Sequence, residues 1–168
     1  LDEKTKSTSD CATTTTQPDS DSTIEAPVTV AAVDGAHAFV YGAPAGQNNA
    51  HPRKVIISLP GHGTAASRGY EAWLPHLKGG SWALASFDWW DGEGETIEHY
   101  ASPPEVVANV KTFLSSQGYT DDDIVVLEGF SRGSANTYAV MGNDRVTPDP
   151  VFDAVISASG KYQADFPI

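Results

Sequence analysis

The amino-acid sequence predicts an α/β domain: a mostly parallel sheet flanked by helices on both faces, with an antiparallel hairpin at its N-terminal edge. Two observations carry this. From residue 54 onward, short apolar runs alternate with stretches of helical period, as expected when a parallel sheet is buried on both faces. Before that, two β-prone runs flank Asp34-Gly35, a two-residue hairpin signal. A chain of 168 residues, 40% of them hydrophobic, is long enough for one domain with a core.

Residues 1–25 contain no aromatic residue, and 11 of them are Ser or Thr. Such a segment cannot bury enough apolar area to offset its ordering entropy, so it reads as a Ser/Thr/Asp-rich tail or linker. The domain is expected over 26–168. Pro27–Val33 and Ala36–Tyr41 form the hairpin strands, and a polar loop with Asn48, Asn49 and Pro52 follows. Lys54–Leu59 is a compact apolar strand ended by Pro60-Gly61-His62-Gly63. Tyr70, Trp73, Leu74 and Leu77 then share one helical face, with Pro75 inside it and Gly79-Gly80 as the stop.

Trp82–Phe87 is the next strand, and Asp88–Ala101 a long loop. Ser102 and Glu105 form a capping box, Pro103 takes the first helical position, and Gly118 ends the helix. Val106, Val107, Val110, Phe113 and Leu114 make its apolar stripe. Asp121-Asp122-Asp123 reads as a solvated turn before the strand Ile124–Gly129. Ser131–Met141 is helical in pattern, and Phe152–Ala158 is a final strand.

Charge and composition narrow the function. Acidic residues outnumber basic ones 22 to 10, a net charge of −12, which disfavours nucleic acid and anionic lipid as partners. No run reaches the ~18 apolar residues of a membrane span. No basic segment followed by an apolar stretch marks a signal peptide. Secretion, or exposure outside the cell envelope, with an export signal already removed, is the expectation. Cys11 is the only cysteine and reads as a tail thiol, or one paired with sequence outside these residues, since the residues before it fit a lipidation site poorly. No phosphate-binding loop, Cys-x-x-Cys or His-Glu-x-x-His pattern occurs, and no metal or cofactor is expected.

The chemistry rests on Gly129-Phe130-Ser131-Arg132-Gly133. Gly-x-Ser-x-Gly alone is unspecific. Here it follows an apolar strand and opens a helix, where a sharp turn needs small flanking residues and pushes the serine hydroxyl out at the carboxyl end of the sheet. In this setting the sequence resembles the α/β-hydrolase family over residues 27–160. A second element, Pro60-Gly61-His62-Gly63-Thr64-Ala65, is similar to the oxyanion turn of secreted cutinase-like and polyester-degrading esterases. The resemblance implies Ser131 as nucleophile and the backbone N–H groups of His62 and Arg132 as oxyanion donors. An alternative register moves the first donor to Thr64. The chemical need is for two fixed donors aimed where charge develops on the carbonyl oxygen.

Trp89 and Trp90, in the loop after the fourth strand, are candidates for an aromatic wall against substrate, or for core under the loop; His99 is a candidate rim residue. His37, His51 and His76 read as ordinary. Glycine-spaced carboxylates at 91–95 are weak evidence for a metal.

The main departure from the family lies after Ser131, where no histidine occurs. Family order is nucleophile, acid, histidine, so His62 reads as a loop-shaping residue, and neither Asp153 nor Asp165 is assigned as the acid. The C-terminal strands, with the acid and the histidine, are therefore expected to be missing from these residues. They would lie on a second polypeptide or on a lost segment. The resemblance implies a serine hydrolase acting on small or polymeric carboxylic esters through an acyl-enzyme. A serine peptidase and a non-catalytic binding protein on the same scaffold are the alternatives.

Overall fold

In a computed structural model, residues 24–32, 35, 37–45, 52–77 and 80–160 are described. Among the described residues, six strands form one sheet: β1 (Val28–Ala31), β2 (Ala38–Gly42), β3 (Lys54–Leu59), β4 (Trp82–Phe87), β5 (Ile124–Phe130) and β6 (Ala154–Ala158). Three helices, α1 (Ala66–Leu77), α2 (Pro103–Ser116) and α3 (Arg132–Arg145), lie against it. The strand order is β1-β2-β4-β3-β5-β6. β1 pairs antiparallel with β2, and β2 with β4. Pairings β3–β4, β3–β5 and β5–β6 are parallel. The predicted class therefore holds, including its antiparallel edge.

Local chemistry explains most boundaries. At the start of α2, the Glu105 carboxylate accepts from the Ser102 N–H at 2.7 Å and from its hydroxyl at 2.6 Å. The helix ends where Gly118 takes φ 71 and Tyr119 N–H reaches back to the Leu114 carbonyl, a turn a side chain would strain. Pro75 lies in the last turn of α1, which ends at Leu77. Several boundaries differ from the sequence reading: β5 ends one residue later, at Phe130, and β6 starts at Ala154 instead of Phe152. Ala31 lies opposite Ala38, and Ala32 N–H donates to the His37 carbonyl, so the hairpin connection is longer than a two-residue turn. Asp34 itself lies outside the described residues, as do Cys11, Asn48, Asn49, His51, Gly79 and Asp165. α3 runs on to Arg145, because buried Asp144 accepts from the N–H groups of Val151 and Phe152 at 3.0 and 3.1 Å and ties the following loop to the helix.

The two faces of the sheet carry unequal cores. On the α2–α3 side, Phe39 stacks between Phe87 and Phe113 at 4.5 and 4.4 Å, with Val55, Ile57, Leu127 and Val140 around them. Such aromatic pairs add about 0.5–1.5 kcal/mol each beyond area burial. On the α1 side the core is small: Ile56, Tyr70, Leu77, Leu84 and Val126. Next to it, a groove of about 580 Å³ runs between α1 and the β5–β6 strands, lined by residues such as Trp73, Phe130 and Glu128. Phe130 is 54% exposed, and Val155 and Ile156 on β6 are 41% and 42% exposed. Val155 and Ile156 point to opposite faces, so β6 is exposed on both sides over much of its length among the described residues, while Ser157 Oγ meets Ser134 Oγ of α3 at 2.5 Å.

Two buried polar contacts tie the strands. Arg53, just before β3, and Asp123, just before β5, form an ion pair with 4% and 0% of their side chains exposed. Asp123 also accepts the Arg53 N–H at 2.6 Å, and the guanidinium lies 4.1 Å from the centre of the Tyr119 ring. The expectation of a solvated acidic turn is thus corrected at Asp123: its partner lies 70 positions earlier in the chain. On the other face, buried Glu128 accepts from Ser58 Oγ at 2.6 Å and from Trp73 Nε1 at 3.0 Å. Burial raises its carboxyl pKa, and the two hydrogen bonds oppose this more weakly.

Asp123→Ala leaves the Arg53 charge buried without a counterion; denaturant unfolding of the intact protein is expected to show a loss of about 3 kcal/mol. For Glu128 the sign is opposite to that of an ordinary acid. Its folded pKa is raised, so its favourable linkage is complete below the unfolded carboxylate range and is lost as pH rises through the folded value. Glu128→Gln is expected to flatten this slope, raising the melting temperature at about pH 8 but not at about pH 4. Melting curves across that range test it.

Candidate active site

β5 and α3 are separated by one residue, Ser131, held at φ 52 and ψ −111. A non-glycine residue there costs roughly 1–3 kcal/mol and persists only when its surroundings enforce it. The enforcement is visible. A Cβ on Gly133 would lie 1.9 Å from the Leu59 carbonyl oxygen, and one on Gly129 would lie 2.5 Å from Gly133. Helix α3 therefore crosses β3 and the end of β5 at a distance only glycine permits. The Ser131 N–H donates to the Ala158 carbonyl at 2.9 Å, tying the turn to β6, while the residue itself stays exposed.

Strand order reverses around β3: the connection through α1 leads to β4 on one side, and β5 lies on the other. The carboxyl ends of β3 and β5 thus meet at a topological switch point, where open α/β sheets bind ligands. After β3, Gly61 approaches the nucleophile turn so closely that its Cβ would lie 3.2 Å from Ser131 Cβ. Thr64 N–H donates to the Gly61 carbonyl at 3.1 Å, closing a turn with Gly63 at φ 67. That bond occupies the Thr64 N–H and leaves the His62 N–H outside the turn's own hydrogen bond. Arg132 is the first residue of α3, where a backbone N–H has no intrahelical acceptor and the helix dipole favours negative charge.

The structure brings Ser131, His62 and Arg132 to one cavity of about 290 Å³, together with Glu95, Ala135, Ser159 and Gly160. The His62 side chain is 38% exposed, with Nε2 3.4 Å from Glu95 Oε1 and Nδ1 hydrogen-bonded to the Tyr100 hydroxyl. Both ring nitrogens face these partners, so this arrangement offers none to the serine hydroxyl. Asp153 is held at the opposite end of β6, accepting the Val125 N–H at 2.8 Å. That places it about 16 Å from the Ser131 end of the strand, too far to act there.

The other candidates fall elsewhere. Trp89 is 1% exposed and donates from Nε1 to the Pro60 carbonyl at 2.9 Å; it is core, not a wall against substrate. Trp90 is half-buried and does not line the cavity; its Nε1 donates to the Glu93 carbonyl at 2.7 Å, and its ring meets His62 edge-on at 5.4 Å. His99 is bonded to Asp91 at 2.9 Å and packs against Gly94, shaping the loop instead of the rim. The Asp91 hydrogen bond raises the His99 pKa and in turn lowers that of Asp91. His37 lies against Phe87 and His76 against Trp73. Among the described residues no three His, Cys, Asp or Glu side chains converge as a metal site. No helix there is long and apolar enough to cross a membrane. Sequence reasoning missed Tyr100 and Glu95, which no motif marks.

No protein-family model and no curated protein matches this chain. Solved structures do. Brefeldin A esterase, a bacterial homologue of human hormone-sensitive lipase, is similar at 20% identity, over 86% of this chain and 42% of its own, with a TM-score of 0.57. An esterase/lipase from an uncultured bacterium gives 18% identity, 82% and 44% coverage, and a TM-score of 0.62. Epoxide hydrolase A from Mycobacterium thermoresistibile gives 18%, 79% and 38%, with 0.52. At these identities the likeness shows the fold: the described residues form part of an α/β-hydrolase-type architecture. The chain spans less than half the length of each of these structures.

Gly133→Ala is expected to destabilise the intact protein by at least about 3 kcal/mol, since its methyl meets backbone and cannot be accommodated by a rotamer change. Denaturant titration showing an unchanged midpoint would mean that α3 does not pass β3 this closely.

Proposed function

We propose that this chain is the nucleophile-bearing part of a serine hydrolase that cleaves carboxylic esters through an acyl-enzyme on Ser131. The observation that carries the proposal is Ser131 alone at the strained turn between β5 and α3, sharing a cavity with His62 and Arg132. The likeness to esterase structures supports it at the level of fold.

In this reading Ser131 Oγ attacks the ester carbonyl carbon as a base takes its proton. The carbonyl oxygen, now negative, accepts from the His62 and Arg132 N–H groups. Collapse of the tetrahedral adduct expels the alcohol, which takes the proton from the same base. Water then repeats the sequence on the acyl-enzyme and frees Ser131. A serine hydroxyl without a base is a poor nucleophile at neutral pH, and the geometry of His62 and Asp153 argues against either in the activating role. The acid and histidine are therefore assigned to polypeptide outside these residues. The exposed β6 strand and the groove beside it are where that polypeptide joins, consistent with matched structures of which this chain covers 42% and 44%. The Ser/Thr-rich residues 1–25 support an exported enzyme.

The intact protein is expected to be labelled by a fluorophosphonate probe. Ser131→Ala should abolish both labelling and ester hydrolysis, with a melting temperature close to that of the parent. Hydrolysis surviving in that variant would sink the assignment. A matched panel of esters and peptides decides the bond cleaved.

A further inference from the structure

Trp89 and Tyr100 stand behind the two assigned donors, and the mechanism above uses neither. Both come from the segment between β4 and α2, and their rings pack at 4.6 Å. Ala101 N–H donates to the Trp89 carbonyl at 2.7 Å, and Trp90 forms a β-bridge with Tyr100, so the two ends of the segment are tied together. From this pair three contacts reach the site. Trp89 Nε1 holds the Pro60 carbonyl at 2.9 Å, two positions before His62. The Tyr100 hydroxyl bonds His62 Nδ1. The Arg132 guanidinium lies 5.1 Å from the Tyr100 ring centre, and Arg132 Nη2 donates to the Glu95 carbonyl of the same segment at 3.0 Å.

We propose that Trp89 and Tyr100 are positioning residues for the oxyanion site: one aromatic pair holds the oxyanion turn and the first residue of α3, and so sets the spacing of the two donors. The proposal rests on the assignment of Ser131 as nucleophile. The chemistry suits the task. Buried aromatic rings have few rotamers and little freedom to shift. Burial raises the Tyr100 pKa, so its hydroxyl stays protonated. In the tautomer that points Nε2–H at the Glu95 carboxylate, Nδ1 carries the lone pair and accepts from the Tyr100 hydroxyl. Donor position matters steeply, because a displacement of about 1 Å at a reacting centre costs on the order of 10²-fold in rate.

The test uses the intact protein and removes one hydrogen bond from both ends. Tyr100→Phe deletes only the hydroxyl; His62→Leu deletes its partner at an exposed position. Each is expected to lower kcat about tenfold while KM for the ester stays within about twofold. A boronic acid, whose tetrahedral adduct is charged at the oxyanion position, should bind about tenfold more weakly to each. The double variant should be no slower than either single one. A kcat within about twofold of the parent in Tyr100→Phe overturns the proposal. So do losses that multiply to about a hundredfold in the double variant, since the two side chains would then act independently. If Tyr100→Phe does not fold, His62→Leu alone decides through its kcat, KM and boronate affinity. Hydrolysis that survives Ser131→Ala overturns the nucleophile; an unchanged Tyr100→Phe in an enzyme that Ser131→Ala silences overturns the positioning role alone.

Discussion

The close passage of α3 over β3 is the constraint on which the carboxyl end of the sheet depends. A single methyl at Gly133 would overlap the Leu59 carbonyl, so the helix starts where it does because nothing but hydrogen stands between the two backbones. That approach leaves one residue between β5 and α3 and forces Ser131 to positive φ. The same crowding draws Gly61 against Ser131 and brings the turn after β3 beside the start of α3. The turn after β3 and the first turn of α3 therefore meet beside Ser131 through packing of small residues.

The surroundings of this turn divide the work. At the amino ends of β3 and β5, the Arg53–Asp123 pair and the Tyr119 ring hold the strands together. At their carboxyl ends, the segment from Trp89 to Tyr100 reaches the turn after β3 and, through the Glu95 carbonyl, Arg132 at the start of α3. Between them lies the aromatic stack of Phe39, Phe87 and Phe113. The opposite face is less complete: α1 covers β2, β3 and β4, leaving Phe130 and Ile156 exposed beside Glu128. A carboxyl buried beside open apolar surface is costly when charged, which is why its pKa shifts upward.

Much of this was legible in the sequence, for local reasons. Lys54–Leu59 and Trp82–Phe87 were readable to the residue because strands buried on both faces are continuous apolar runs. The start of α2 was readable because Ser102, Pro103 and Glu105 act over one turn. The strained serine was readable because the steric need for Gly129 and Gly133 is written next to it. Trp89 and Asp123 were not readable in the same way. Paired tryptophans in a loop can face solvent or core, and only the packing of Trp89 against Tyr100 and its hydrogen bond to the Pro60 carbonyl decide that Trp89 is core. Asp123 looks like one of three solvated acids until β3 brings Arg53 to it.

Local sequence carries the α/β alternation, the antiparallel start and the residue at the sharp turn, because each follows from interactions within a few positions along the chain. Tertiary structure alone decided which side chains share the cavity with Ser131. His62, Arg132 and Glu95 arrive there from three separate connections, and Trp89, Trp90 and His99 are turned away from it. The reason is physical: strand order places the ends of β3 and β5 side by side, and side-chain direction at a loop is set by the packing it meets, not by its neighbours in sequence.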